Sequence, residues 1–180
     1  YLFNADAVGD VDAYREIENP RNSGIHYMDH FGASVDIDGS KIIVGAPGTD
    51  DVGAAYVFTS GILQGTLVPS DSAEGGDFGR AVGITGDHAL VGGPNVSGGT
   101  VFAFSSADDW AQVQKLEGSG SFGYAIDIEG TKAVIGAPTS GAGSGTNMYT
   151  LDISTHEWSF ETSLSANTGQ HFNDWYGAGV

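Results

Sequence analysis

The sequence has no cysteine, and only six of its 180 residues are lysine or arginine. Without cysteine the chain forms no disulfide, zinc–thiolate site or cysteine nucleophile, so packing alone must stabilise it. Its 23 acidic residues give a net charge of −17. Such a surface repels nucleic acids and anionic membranes, which proteins bind through clusters of lysine and arginine. Since the apolar runs are also too short for a membrane span, we expect neither a nucleic-acid partner nor a transmembrane segment.

Catalytic motifs are missing as well. The sequence contains no G-x-S-x-G and no H-E-x-x-H, and its five histidines are scattered along the chain. His26 and His30 share one segment with Asp29, but their spacing matches no common zinc pattern. We therefore predict that the protein is not an enzyme.

The sequence does contain one seventeen-residue block in three copies without a gap. The copies cover residues 31–47, 78–94 and 122–138, and residues 176–180 match the beginning of a fourth. Successive starts are 47, 44 and 54 residues apart. A period of this length indicates a repeat architecture, in which each repeat is one supersecondary unit.

Each block has the pattern of a β-hairpin. In the first copy, apolar residues from Phe31 to Ile37 alternate with small or acidic ones, which is the period of a strand. A residue pair beginning with glycine follows in every copy, as tight hairpin turns prefer. The second half of the block is an unbroken apolar run, typical of a strand that is buried on both faces.

Two further strands fit between consecutive blocks. An aromatic-rich segment comes first, at residues 56–58, 102–104 and 149–151, and an alternating segment follows, clearest at 110–116 and 158–164. Four short strands in each repeat of about 40 to 50 residues are the signature of a β-propeller blade. No segment has a helical period. We predict an all-β fold, a β-propeller of four-stranded antiparallel blades.

The two ends of the block carry a family resemblance. Phe-Gly opens every copy, and Gly-Ala-Pro closes the first and third, with Gly-Gly-Pro in the second. These motifs resemble the FG-GAP repeat, which builds the seven-bladed propeller of integrin α-subunits and occurs in many bacterial and algal surface proteins. The positions that carry the resemblance, and that we expect to be structural, are Phe31, Gly32, Gly45, Pro47, Phe78, Gly79, Gly92, Pro94, Phe122, Gly123, Gly136 and Pro138.

The strand count predicts where the blades begin and end. Residues 1–30 provide the end of one blade, 31–77, 78–121 and 122–175 form complete blades, and 176–180 start the next. The chain thus holds about four blades' worth of a single propeller segment, and the resemblance implies that it is part of a larger, seven-bladed ring. The alternatives are a closed four-bladed ring, or several chains that join into one ring or filament. Unpaired strand edges need a partner in each case.

A calcium loop of the form D-x-D-x-D-G is frequent in integrin-type repeats, and this chain does not have one at its hairpins. The nearest approach is residues 36–39 (DIDG), whose acidic residues belong to a strand, and the second copy lacks both of them. Calcium needs about six to eight oxygen ligands. We therefore expect no calcium at the hairpins and no other cofactor. Asp50 and Asp51 remain weak metal candidates, against the interpretation that they form a solvated acidic loop.

The resemblance implies a non-enzymatic recognition or adhesion module, integrin α-like, located outside the cell or at its surface. Loops on one rim would bind a protein or glycan ligand while the blades hold them in place. The alternative is a structural tile of an extracellular filament, sheath or cell-wall layer, assembled from copies of the chain through blade edges. The candidate ligand-binding residues are His26, Tyr27, Asp29, His30, Asp50, Asp51 and Asp77. Asn95 begins an N-glycosylation sequon.

Overall fold

Antiparallel β-sheets make up the computed structural model, which describes residues 2–3, 13–21, 28–70, 76–96, 98–138, 145–164 and 179. These residues contain fourteen strands and two short 3-10 turns, at Thr49–Asp51 and Ser106–Asp108. Within them, no helix has the length and apolar character that a membrane crossing requires. The predicted all-β fold is confirmed.

Three sheets of four strands follow one another along the chain, and we call them blades 1, 2 and 3. A two-stranded sheet of β1 (Leu2–Phe3) and β2 (Ala13–Arg15) precedes them. Blade 1 contains β3 (Ser34–Asp38), β4 (Lys41–Ala46), β5 (Ala54–Thr59) and β6 (Ile62–Leu67). Blade 2 contains β7 (Ala81–Thr85), β8 (His88–Gly93), β9 (Thr100–Ser105) and β10 (Ala111–Glu117). Blade 3 contains β11 (Ala125–Glu129), β12 (Lys132–Ala137), β13 (Gly145–Asp152) and β14 (Glu157–Leu164).

Within each blade the strands lie in chain order and pair with their sequence neighbours. The connections therefore alternate between the two ends of the sheet. We call the end at which every block begins and closes the upper rim. The predicted glycine-first turns, at residues 39–40, 86–87 and 130–131, lie at the opposite end, the lower rim. The third and fourth strands of each blade, which were predicted between the blocks, are confirmed at β5–β6, β9–β10 and β13–β14.

One backbone hydrogen bond joins the two ends of each block at the upper rim. The amide of the second block residue donates to the carbonyl of the glycine at block position fifteen, at 3.0 Å in all three copies: Gly32 to Gly45, Gly79 to Gly92 and Gly123 to Gly136. Gly79 has a φ of +93°, and a Cβ on Gly45 would collide with the Gly79 carbonyl of the next blade. Glycine is thus needed at one position for its left-handed backbone and at the other for the close approach of two blades.

The phenylalanine that opens each block packs on the aromatic strand of its own blade. Phe78 is fully buried, and its ring centroid lies 5.3 Å from that of Phe102 and 6.0 Å from that of Phe104. Phe122 makes the corresponding contact with Tyr149 at 6.0 Å. Edge-on and tilted ring pairs at this distance stabilise beyond their apolar area, which explains why the third strand of each blade is rich in aromatic residues.

The hydrophobic core lies between neighbouring blades. Between blades 1 and 2, Val82 and Ile84 of β7 pack in one cluster with Ile43, Ala55 and Val57. The equivalent residues between blades 2 and 3 are Ile126 and Ile128, packed on a cluster that includes Leu90, Val101 and Ala103. Each blade therefore covers the blade before it with the apolar side chains of its first strand, and each depends on its neighbours for burial.

Candidate functional site

The upper rim holds the candidate ligand-binding residues. Five of the seven, Asp29, His30, Asp50, Asp51 and Asp77, lie in the described residues, on segments 28–30, 48–53 and 76–77. His26 and Tyr27 lie outside the described residues. The segments before and after the block meet in backbone contact, because Gly48 N donates to the Asp29 carbonyl at 3.1 Å.

His30 and Asp77 occupy the same turn position, directly before the opening phenylalanine. Their φ angles are 53° and 52°, and Ser121 has 59° at the corresponding place in the third copy. In each copy the carbonyl of this residue accepts a hydrogen bond from the amide three residues further on, at 2.9 to 3.1 Å. Since serine, histidine and aspartate all adopt this turn, the position is required for its backbone conformation and not for one particular side chain. Binding by the His30 and Asp77 side chains stays a prediction.

Asp29 differs from its neighbours on the rim because it is buried, with 5% of its surface exposed. Asn19 donates from Nδ2 to Oδ2 of Asp29 at 3.3 Å, and Gly48 donates to its carbonyl. These contacts attach the segment after β2 to the first block. The geometry therefore gives Asp29 a supporting position beneath the rim surface.

The two residues Asp50 and Asp51, which we call the acidic pair, stand on the 3-10 turn after the first block. Both have left-handed backbones, with φ of 49° and 62°, and both are exposed. Arg21 Nη1 forms an ion pair with Oδ2 of Asp50 at 2.6 Å, and this contact raises the pKa of Arg21. Arg21 is one of only six basic residues, and it lies next to Asp50, one of the two weak metal candidates. A guanidinium already supplies the positive charge for Asp50.

Metal binding has little further support on this rim. Among the described residues, no three histidine, aspartate or glutamate side chains come together in a way that would hold a metal ion. Asp77 is engaged elsewhere, since Asn95 Nδ2 donates to Asp77 Oδ2 at 2.8 Å. Asn95 is exposed, as a glycosylation acceptor must be, while Ser97 of its sequon lies outside the described residues.

The acidic residues of the DIDG hairpin have a structural partner that the sequence did not reveal. Asp36 Oδ2 accepts a hydrogen bond from Ile84 N at 2.8 Å, and Asp38 Oδ2 accepts one from Gly86 N at 2.6 Å. Both donors belong to blade 2. The two carboxylates therefore bind the backbone edge of β7 and its turn, which joins blade 1 to blade 2.

The lower rim holds one pair of titratable side chains that sequence analysis also missed. His88 Nε2 lies 2.7 Å from His156 Nδ1, between blades 2 and 3. His88 is 5% exposed, and burial, followed by the charge of His156, lowers the pKa of its imidazole. The two residues are 68 positions apart, so only the blade assignment brings them together. Nearby, Lys41 Nζ bonds Asp87 Oδ1 at 3.0 Å, and this bond lowers the pKa of Asp87.

A groove of about 480 Å³ lies between the segment after β2 and the outer strands of blade 1. Phe58 and Leu63 provide apolar lining, and Glu16 and Glu18 provide charge. None of the candidate ligand-binding residues lines it. Its described lining contains two glutamates but no histidine, serine or lysine.

Comparison with known protein families gives a match to the FG-GAP repeat at residues 23–58 and 63–104. The first match contains β3 to β5, and the second contains most of β6, all of β7 and β8, and all but the last residue of β9. The resemblance found in the first two blocks is confirmed. No curated protein matches the sequence.

Proposed function

We propose that the chain, whose residues 23–58 and 63–104 match the FG-GAP repeat, is a non-enzymatic recognition or adhesion module acting outside the cell or at its surface. Proteins with these repeats are generally non-enzymatic and typically extracellular or on surfaces, and the repeats are found in adhesion and recognition propellers. In this proposal the upper rim binds the ligand, and the blades position its loops.

The observation that carries the proposal is the exposed acidic pair on a loop that is fixed at both ends. At one end Gly48 is bound to the Asp29 carbonyl, and at the other Phe78 N of blade 2 donates to the Val52 carbonyl at 3.2 Å. A loop that is already ordered loses little conformational entropy when a ligand binds. The described upper rim has no comparably exposed pair of neighbouring carboxylates.

The ligand chemistry that fits this rim is a protein segment with lysine or arginine side chains. Arg21 offsets only one of the two charges of the acidic pair, so the pair and the net charge of −17 still attract cations and would accelerate encounter with such a segment. Met28 lies beside the loop, since its carbonyl is in contact with Gly48, and it is 77% exposed. An exposed methionine next to carboxylates provides an adaptable apolar contact for the stem of a basic side chain.

The proposal is tested by binding of the full chain to immobilised basic peptides and, in parallel, to a glycan array. Asp50→Asn/Asp51→Asn removes the two charges while keeping residues that tolerate a left-handed backbone. The matched control is Asp108→Asn/Asp109→Asn, an exposed pair on the lower rim in which Asp109 has a φ of 57°. We expect the first variant to bind basic peptides about tenfold more weakly or worse, and the control to bind like the unchanged protein.

Two results would overturn the rim proposal. Equal losses in both variants would mean that general charge attraction, and not the acidic pair, causes the binding. Glycan binding that neither variant alters would place the ligand site elsewhere and change its chemistry.

A second candidate function is the structural tile. It is supported by Val35 and Ile37 of β3, which are 65% and 59% exposed although their counterparts Val82 and Ile84 are buried. An apolar strand surface of this kind suits contact with another blade.

A further inference from the structure

The residue that leads into the fourth strand of each blade differs between blade 1 and the other two blades. The residues that correspond in strand register are Gly61, Trp110 and Trp158. Each directly precedes the pairing partner of an equivalent third-strand residue, which is Thr59, Ser105 or Thr150. Gly61 and Trp110 also share a left-handed backbone, with φ of 73° and 59°. Blade 1 therefore has a glycine where blades 2 and 3 have a tryptophan.

Both tryptophans are buried in the seam, the contact zone that joins their blade to the segment before it in the chain. Trp110 is 8% exposed and belongs to the apolar cluster between blades 1 and 2. Its ring lies against Gly65 of blade 1, where an added Cβ would come within 2.8 Å of Trp110 Cδ1. Trp158 is 2% exposed in the cluster between blades 2 and 3. An indole ring thus fills each of these two seams beside the fourth strand.

The corresponding seam, between blade 1 and residues 16–20, has walls on both sides but no indole ring. Ile17 packs on the blade 1 cluster that includes Phe58. Asn19, on the same wall, donates to Asp29 and so attaches this wall to the first block. The groove of about 480 Å³ lies between the two walls, and Gly61 is part of its lining. The groove therefore lies where the missing side chain would enter the seam.

The lining of the groove combines an apolar surface with negative charge. Phe58 and Leu63 belong to blade 1, and Glu16 and Glu18 belong to the opposite wall. The volume is within the range of about 300 to 1,000 Å³ that is common for small-molecule sites. Aromatic side chains such as Phe58 pack favourably on another ring, while carboxylates and a net charge of −17 favour a cation over an anion.

We propose that this groove binds a small aromatic amine, whose ring occupies the place that tryptophan fills in the other two seams. The ring packs on Phe58 and Leu63, and the ammonium group donates to the carboxylate of Glu16. Binding removes apolar surface of both partners from water, and the charge-assisted hydrogen bond orients the ligand. This inference goes beyond the proposed function and is independent of it, because no candidate residue of the upper rim lines the groove.

The first test is calorimetric titration of the full chain with tryptamine, an indole that carries an ammonium group. Tryptophol, the neutral analogue, should bind about tenfold more weakly because it lacks the charge-assisted bond to Glu16. Indole acetate, the anionic analogue, should bind more weakly still. In the unchanged protein, the ring protons of tryptamine should give nuclear Overhauser effects to the side chains of Phe58 and Leu63, a result that needs no variant.

Two variants test the two parts of the site. Gly61→Trp restores the ring of the other blades on a backbone that already suits it, and it should weaken tryptamine binding at least tenfold. Its control, Gly130→Trp, adds the same ring at a left-handed glycine (φ 57°) whose Cβ would meet no atom of the described residues within 4 Å. Glu16→Gln should weaken tryptamine binding about tenfold, whereas Glu129→Gln, at an exposed position of blade 3, should leave it unchanged.

Three results would overturn the proposal. Equal binding of tryptamine, tryptophol and indole acetate would exclude recognition by the carboxylates. Tryptamine binding that survives in Gly61→Trp would place the ligand elsewhere. A groove that binds a peptide containing tryptophan and lysine, but not millimolar tryptamine, would be a protein-docking site.

A last comparison separates this site from the upper rim. Asp50→Asn/Asp51→Asn should keep its tryptamine binding, and Gly61→Trp should keep any binding of basic peptides. Loss of tryptamine binding in Asp50→Asn/Asp51→Asn would assign the amine to the acidic pair and overturn the groove proposal. Failure of this inference and failure of the rim proposal are therefore distinguishable.

Discussion

His88 and His156 face each other across the seam between blades 2 and 3, with Nε2 of His88 2.7 Å from Nδ1 of His156. The ring centroids are 5.0 Å apart and the planes are tilted by 31°. One nitrogen must donate and the other accept, so the hydrogen bond needs at least one neutral imidazole. Burial and the charge of His156 lower the pKa of His88, while the neighbouring Asp87 carboxylate opposes this shift.

The contact predicts that acid weakens the fold. In the unfolded chain a histidine has a pKa of about 6.5, and the pKa of His88 in the folded chain is lower. The unfolded chain therefore takes up the proton first, and stability that is fully present above about pH 6.5 is lost as the pH falls towards the folded value. Thermal unfolding between about pH 5 and 8 measures this effect.

A pair of variants separates this effect from the titration of the many carboxylates. His156→Asn and His30→Asn both replace a histidine with a left-handed backbone, φ 61° and 53°, by a residue that tolerates it. We expect His156→Asn to reduce the pH dependence and His30→Asn to leave it unchanged. Identical pH profiles for the two variants would exclude the histidine pair as the cause.

The Asp36 carboxylate should contribute measurably to the contact between blades 1 and 2. Asp36→Ala leaves the amide of Ile84, a residue that is 2% exposed, without its acceptor. An unsatisfied buried amide costs about 1–3 kcal/mol, and urea unfolding should show a loss of this order. Asp127→Ala, made at the same block position, is the control and should cost much less. Equal costs would contradict the role of Asp36.

The blade architecture could be predicted from sequence because its signals are local and repeated. The alternation from Phe31 to Ile37 and the glycine-first turns specify a hairpin whatever surrounds them. The aromatic third strands could be predicted for a related reason. The buried Phe78 packs on the rings of Phe102 and Phe104 within its own blade, so both sides of this contact lie in one repeat. Three copies in register then identify the repeat unit.

The contacts between distant segments could not be predicted. The strand period of two places Asp36 and Val35 on opposite faces of β3, but it does not show which face meets the next blade. The role of Asp36 as a hydrogen-bond acceptor could therefore be recognised only from the positions of the blades. The ion pair of Arg21 with Asp50 and the contact of His88 with His156 join residues 29 and 68 positions apart. Side chains at such separations carry no shared pattern in the sequence.

Gly123 should be more sensitive to substitution than Gly32, although both have the same backbone. Their φ angles are 89° and 90°, so alanine strains the chain equally at both positions. A Cβ on Gly123 would also lie 2.9 Å from the Thr100 carbonyl and from Val101 Cγ2, whereas a Cβ on Gly32 meets no atom of the described residues within 4 Å. Gly123→Ala should therefore cost about 1 kcal/mol more than Gly32→Ala in urea unfolding. Equal costs would show that neighbouring blades do not crowd this position.

Calcium should not stabilise this protein beyond its general effect on charge. Asp36 and Asp38 already accept backbone amides, and Asp50 already has the guanidinium of Arg21 as its counterion. A calcium ion at either place would have to replace these partners and still find about six oxygen ligands. We expect the same melting temperature in excess chelator and in millimolar calcium once magnesium at equal ionic strength has corrected for screening of the −17 charge. A specific site at a hundredfold saturation would add about 2.7 kcal/mol. A calcium-specific rise of that size, lost in Asp50→Asn/Asp51→Asn, would show that the acidic pair is a metal site after all.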